Sequence, residues 1–237
     1  RHRILDMLSR KPGGDLLEIG CGPATLIHEL SSHGFHCTAL ETSPAALAIA
    51  RSINPSVTIH ESPQSDWNSA FDFIMAFEVL EHIEDDRKAL DTWLSWLRPG
   101  GTLLLSVPAH MSKWTATDDW AGHVRRYEKE ELIRLLRDAG LSIARFESYG
   151  FPLANLIEPL RARTHRRQLA ARQRNAQDDR KLNNDMSGIS RSAESRLYPL
   201  LKSLPGVALM RSAFFAQTLF SRWDIGNGYV LEAIRSQ

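Results

Sequence analysis

A chain of 237 residues that is 43% hydrophobic and 24% charged has the balance of an ordinary globular protein, and its core needs no disulfide or metal staple. The two cysteines, Cys21 and Cys37, lie outside any CxxC pair, which argues against a disulfide framework or a zinc site and fits a reducing compartment. A formal net charge of +1 names no nucleic-acid partner, and no apolar run approaches the ~18 residues of a membrane span.

The chain opens with Arg1-His2-Arg3 and an amphipathic run through Ile4, Leu5 and Leu8, without a visible secretory signal. Asp15 to Ile19 reads as a short buried strand that ends in Gly20-Cys21-Gly22-Pro23. A helical pattern through Leu26, Ile27 and Leu30 follows and stops near Gly34. Phe35 to Leu40 is a second strand, and Pro44 opens a second helix at a position where proline is tolerated. Val57-Thr58-Ile59 is a third strand. Phe71 to Phe77 is a fourth, apolar almost throughout, as a strand covered on both faces should be. A helix over about 85–97 ends at Pro99-Gly100-Gly101, and Thr102 to Val107 is the fifth strand. This alternation predicts a doubly wound α/β fold around a mostly parallel sheet. Residues 109–127 read as a polar loop, 128–139 as a helix, and Leu141 to Tyr149 as a strand. Gly228 to Ile234 is the last strand. Between these two strands lies an insertion over about 152–224. It holds a basic helical stretch (Arg161, Arg163, His165, Arg166, Arg167, Arg172, Arg174), a polar segment over 183–196 expected to be a flexible loop, and an apolar stretch over 197–220.

The most informative local signal is E-x-G-x-G at the exit of the first strand: Glu18, Gly20, Gly22. Glycines there let the chain turn tightly and bring backbone N–H groups to a ligand at the carboxyl end of the sheet. Glu41, about 20 residues on, ends the second strand, where a carboxylate accepts both hydroxyls of a ribose. A nicotinamide dinucleotide would want a third glycine to receive its pyrophosphate. That position is Thr25, and Pro23 interrupts the loop. A nucleoside cofactor without phosphate, S-adenosylmethionine, has no need of it.

Two longer blocks, LLEIGCGPATLIHEL and FDFIMAFEVLEHIEDDRKALDTWLSWLRPGGTLLLSVP, closely resemble the ubiquinone-biosynthesis-like branch of class I S-adenosylmethionine-dependent methyltransferases, types 11 and 12. The resemblance covers about 14–150 and the last strand. It implies a Rossmann-like, seven-stranded sheet of order 3-2-1-4-5-7-6 with the last strand antiparallel; the chain is then one methyltransferase domain over 1–237, and it departs from the compact family pattern at 152–224, a helical insertion or cap. It implies cofactor contacts at Glu18, Gly20, Cys21, Gly22, Glu41 and Thr42. It also implies that Asp66 reaches the adenine amino group beside Trp67, and that Phe77 and Glu78 face the methionine part and the acceptor. A turn residue at Asp66 and a core residue at Trp67 are the structural alternatives.

Methyl transfer is a displacement on an already activated carbon, so the protein supplies alignment, and a histidine can take an acceptor proton. His82 and His123 are the candidates. Glu78, Glu81 and His82 share a helical spacing. The resemblance ties that E-x-x-E-H pattern to metal binding, although a divalent metal is not expected. In Gly122-His123-Val124-Arg125-Arg126-Tyr127, the residues Arg125, Arg126 and Tyr127 are candidates for acceptor binding, an arginine forking onto a carboxylate or phosphate. Alternatively, one arginine pairs with Asp118 or Asp119 and locks the loop.

The expected acceptor is a small molecule or a lipid-like compound methylated at oxygen. The insertion is then a lid, a solvated cap, or a peripheral contact with the inner face of a membrane in an otherwise cytoplasmic protein. Nucleic acid is not an expected partner, because the basic charge is local and no aromatics are interleaved with it. An RNA or protein methyltransferase is the alternative of the same chemistry, disfavoured by Ala76-Phe77-Glu78-Val79 in place of an NPPY-type motif. A non-catalytic cofactor-binding regulatory module is the alternative of another class.

Overall fold

The computed structural model describes residues 2–9, 11–174 and 203–236. Seven strands form one sheet: β1 (Asp15–Ile19), β2 (His36–Leu40), β3 (Thr58–His60), β4 (Phe71–Phe77), β5 (Leu97–Pro108), β6 (Leu141–Tyr149) and β7 (Gly228–Arg235). Their order is β3-β2-β1-β4-β5-β7-β6. β1 to β5 pair in parallel, and β7 runs antiparallel between β5 and β6, as expected.

The central strand shows why the sheet is covered on both faces. Along β4 successive side chains alternate sides. Ile74 and Ala76 enter a core with Leu17, Trp93, Leu105 and Leu231. Phe73 and Met75 enter the opposite one with Leu16, Leu30, Phe35 and Leu104, where Phe35 meets Phe73 edge-on at 5.4 Å. The helices on these faces are α1 (His2–Leu8), α2 (Thr25–Leu30), α3 (Pro44–Ile53), α4 (Asp86–Trp96) and α6 (Lys129–Asp138), with a short α5 (Ala116–Ala121) after β5. α4 begins where the Asp85 side chain accepts from the Lys88 amide, and it buries Leu90, Trp93 and Leu94 at helical spacing.

Two boundaries differ from the sequence reading. β5 starts at Leu97 and takes in the Pro99–Gly101 turn. The stretch 109–127 is not all loop, because α5 forms in it. Its start is a capping box: the Thr115 side chain accepts from the helix backbone while the Asp118 side chain accepts from the Thr115 amide at 2.8 Å.

The insertion leaves β6 as α7 (Leu153–Arg174) and returns to β7 through α8 (Leu204–Phe220). α8 starts at Ser203, whose side chain accepts from Gly206, with Pro205 in its first turn. Proline therefore opens this helix and does not break it. The segment 183–196, expected to be a loop, lies outside the described residues. α7 is fastened to α5: the His165 ring stacks on Trp120 at 4.3 Å, and Thr115 donates to Glu158 at 2.7 Å. The end of α8 is fastened to the start of α7 through Phe220, edge-on to Phe151 at 5.0 Å. Among the described residues no helix is long and apolar enough to cross a membrane.

Candidate functional site

The site lies at the carboxyl ends of β1, β2 and β4, where parallel strands open onto the crevice beside a change of strand order. β1 runs into Gly20 at φ +65° and Gly22 at φ +53°, backbone that side-chain-bearing residues rarely adopt. A Cβ on Gly20 would sit 2.6 Å from Val79 Cγ2, whereas one on Gly22 would meet nothing within 4 Å. The turn is thus tight underneath and open above. Glu41 closes it from β2: its carboxylate accepts from the Gly22 amide at 2.7 Å and from the Ser43 amide at 2.8 Å. A cleft of about 340 Å³ results, with Gly20, Gly22, Glu41, Thr42 and Ser43 on one side and Glu78, Val79, His82, Ile83 and Trp93 on the other.

The chemistry of this cleft discriminates between ligands. Glu18 is buried, its Oε2 has no hydrogen-bond partner, and burial followed by the charge of Glu41 pushes its carboxyl up to about 8. Among the described residues no lysine or arginine lines the cleft. Glu18 does not itself line the cleft; the acids that do are Glu41 and Glu78, and an acidic lining without a cation disfavours a pyrophosphate. It suits a ligand with positive charge and ribose hydroxyls to donate, and S-adenosylmethionine is such a ligand. Cys21, between the glycines, is a packing residue whose thiol is pushed up by burial and by Glu18 and Glu41.

Not every expected contact gathers here. Trp67 is 5% exposed and packs edge-on against Trp96, His60 and Phe71 at 5.2, 5.4 and 5.5 Å, so it belongs to the core. Asp66 is an exposed turn residue, and neither residue lines the cleft. Phe77 is half-buried and packs against the core on the Phe73 side. Trp93, Val79 and Ile83 do line the cleft. Sequence reading passed them over because apolar residues next to a motif look the same whether they face a core or a ligand.

Glu78, at φ +56°, accepts through Oε1 from Tyr149 at 2.7 Å and from Ser106 at 2.8 Å. Glu81 is fully buried with neither side-chain oxygen in a hydrogen bond; burial and then the charge of Glu78 raise its carboxyl well above the usual range. His82 and His123 meet edge-on, ring centroids 4.9 Å apart. Burial first, then the charge of His123, lowers His82 to about 4, and its Nδ1 has no partner. One ligand atom from each of Glu81, His82 and His123 lies within 4.8 Å of the others, so this trio can gather a cation. His123 thus takes the place that helical spacing assigned to Glu78.

His123 is held from behind. Its Nδ1 lies 2.9 Å from Asp118 Oδ1, and the Val124 amide donates to the Glu81 carbonyl at 2.9 Å. Asp118, fully buried, also takes both arms of Arg126, at 2.7 and 3.0 Å. Burial alone would raise the Asp118 carboxyl, but the bonds from His123 and Arg126 outweigh it and hold it low. The expected acceptor contacts are therefore differently employed. The fork of Arg126 is closed on Asp118, because a buried guanidinium needs a partner. Arg125 reaches Asp86 at 2.7 Å, and Tyr127, fully buried, donates to the same Asp86 at 3.0 Å.

Comparison with known proteins agrees with this geometry. A family model described as a methyltransferase domain matches residues 1–145. The ubiquinone biosynthesis O-methyltransferase of Xanthomonas campestris pv. campestris is 33% identical over 104 residues, 40% of this chain and 44% of that protein. The chain thus matches less than half the length of this curated relative. The S-adenosylmethionine-dependent methyltransferase of Mesorhizobium loti shares the fold at TM-score 0.58 and 18% identity, over 99% of this chain and 96% of that one. So does the [4+2]-cyclase SpnF, at TM-score 0.58 and 19% identity over 99% and 80%. With the glycine turn, the acid of β2 and the strand order all in place, the chain belongs to the methyltransferase domain family and has the fold of the class I S-adenosylmethionine-dependent methyltransferases.

Proposed function

We propose that the enzyme methylates a hydroxyl oxygen of a small, lipid-like acceptor. One observation carries the reading: His82 lines the cofactor cleft, and its buried Nδ1 has no hydrogen-bond partner. When bound, the cofactor supplies an electrophilic methyl group. Glu41 holds the ribose hydroxyls. Val79, Ile83 and Trp93 give the acceptor an apolar wall and exclude water. His82 accepts the hydroxyl proton. That proton becomes strongly acidic as the new carbon–oxygen bond forms, so a weak base suffices. His123 and Asp118 position His82 and do not touch the acceptor. The curated relative's name supports oxygen as the methylated atom.

Calorimetric titration and turnover of isotopically labelled cofactor with phenolic and lipid extracts test this. Glu41→Gln is expected to weaken cofactor binding about ten- to a hundredfold. His82→Gln is expected to lower kcat on the order of a hundredfold, leaving cofactor affinity within a few-fold. Binding without turnover on any acceptor would favour a cofactor-binding module, an outcome given weight by the cyclase that shares the fold. A second reading rests on the orphaned atoms of Glu81 and His82: with His123 they would hold a divalent ion that polarises the acceptor oxygen. Activity abolished by chelation and restored by Mg²⁺ or Mn²⁺ decides for it.

A further inference from the structure

The two helices of the insertion carry a feature that methyl transfer does not require. Along α7, Leu153, Leu156, Ile157 and Leu160 recur at i, i+3, i+4 and i+7, which is one helix face, and that face is outward. Leu156 is 74% and Leu160 67% exposed. The same face continues as Arg163 and Arg167, both exposed. On α8, Leu204, Phe215 and Leu219 share an outward face with Arg211, the three apolar residues being 88%, 66% and 62% exposed. Trp223, just beyond, is 59% exposed.

Charge says what covers this surface. The described parts of the insertion, 152–174 and 203–224, contain eight arginines and two acids, while the whole chain carries a net charge of only +1. Both acids are engaged, Glu158 accepting from Thr115 and Asp224 from Tyr229. A second copy of the chain placed on this surface would bring arginines against arginines. A bilayer with anionic headgroups satisfies both features at once, leucine and aromatic side chains entering the acyl boundary and guanidinium groups resting at the phosphates.

We propose that the outward faces of α7 and α8 dock the enzyme on an anionic lipid bilayer. α7 is fastened to α5, and α5 carries the Asp118 that positions His123, so the docked face and the acceptor side of the cleft share one support. That the acceptor is drawn from the bilayer rests on the proposed lipid-like acceptor; the docking itself does not.

The test is co-sedimentation of the full chain with vesicles of phosphatidylcholine alone and of phosphatidylcholine with phosphatidylglycerol. Binding to the anionic vesicles only, weakening as salt rises, is expected. Replacing Arg163, Arg166 and Arg167 together by Gln lowers vesicle affinity about a hundredfold. Phe215→Ser with Leu219→Ser also lowers it, and both variants keep the native unfolding midpoint and cofactor affinity. No binding, equal binding to neutral vesicles, or a concentration-dependent dimer dispersed by the Phe215 and Leu219 changes overturns the proposal. Vesicle binding with no turnover on any acceptor fails the proposed function and leaves docking intact. Turnover on a soluble acceptor without vesicle binding does the reverse.

Discussion

The most consequential single residue is Glu18, because its carboxyl stands at about 8 in the fold, against 4.5 ordinarily. Between those values the folded protein binds a proton that the unfolded chain has released. Stability from this group is therefore complete below pH 4.5 and is lost as pH rises through 8. The slope is at most about 1.4 kcal/mol per pH unit. Chemical denaturation of the cofactor-free protein should show it, and Glu18→Gln should flatten it. A cation entering the cleft draws Glu18 toward its charged form, so cofactor binding near pH 7 should release a proton, visible as buffer-dependent heat in calorimetry. The acids at Glu18 and Glu41 were legible in the sequence because strand ends and a glycine turn fix their places locally. Asp66 and Trp67 were not: which way a side chain turns after β3 is decided by packing, and the aromatic neighbours of Trp67 take it into the core.

Among the elements, the segment after β5 depends on one ion pair more than on its helix. Asp118 holds His123 and Arg126, and all three are largely shut off from water. Asp118→Asn leaves a buried guanidinium without its counter-charge, which should cost about 3–5 kcal/mol and lower the unfolding midpoint, whereas Asp119→Asn, on the exposed side, should cost little. Equal losses for the two would sink this account. α5 could have been read from Thr115 and Asp118, since that spacing is a capping box, but its six residues carry too little apolar periodicity to stand out. The bidentate bond to Arg126 follows from burial and is not visible in spacing. The central strands were legible for the opposite reason, β4 being a seven-residue run that is apolar at all but one position.

At the scale of the molecule, the cofactor cleft is built from β1, β2 and β4 with their loops, and the insertion hangs from β6 and β7 at the other side of the sheet. The two ends of the insertion meet where the Asn227 amide donates to the Tyr149 carbonyl at 2.8 Å. Replacing 153–222 by a short Gly–Ser linker should therefore keep cofactor affinity within about threefold, a change under 1 kcal/mol, while vesicle binding is lost. Loss of cofactor binding would show that the insertion holds the cleft together. The placement of β7 between β5 and β6 was available from resemblance alone, because nothing in its own residues says which edges it joins.

That placement also governs how the chain can be made. β7 pairs with both β5 and β6, yet a ribosome delivers it only after residues 150–227 have emerged. Until then the nascent β5 edge and the strand of β6 carry unsatisfied N–H and C=O groups, which invite pairing between neighbouring polypeptides. A message cut short before Gly228 therefore yields aggregates, not a smaller enzyme.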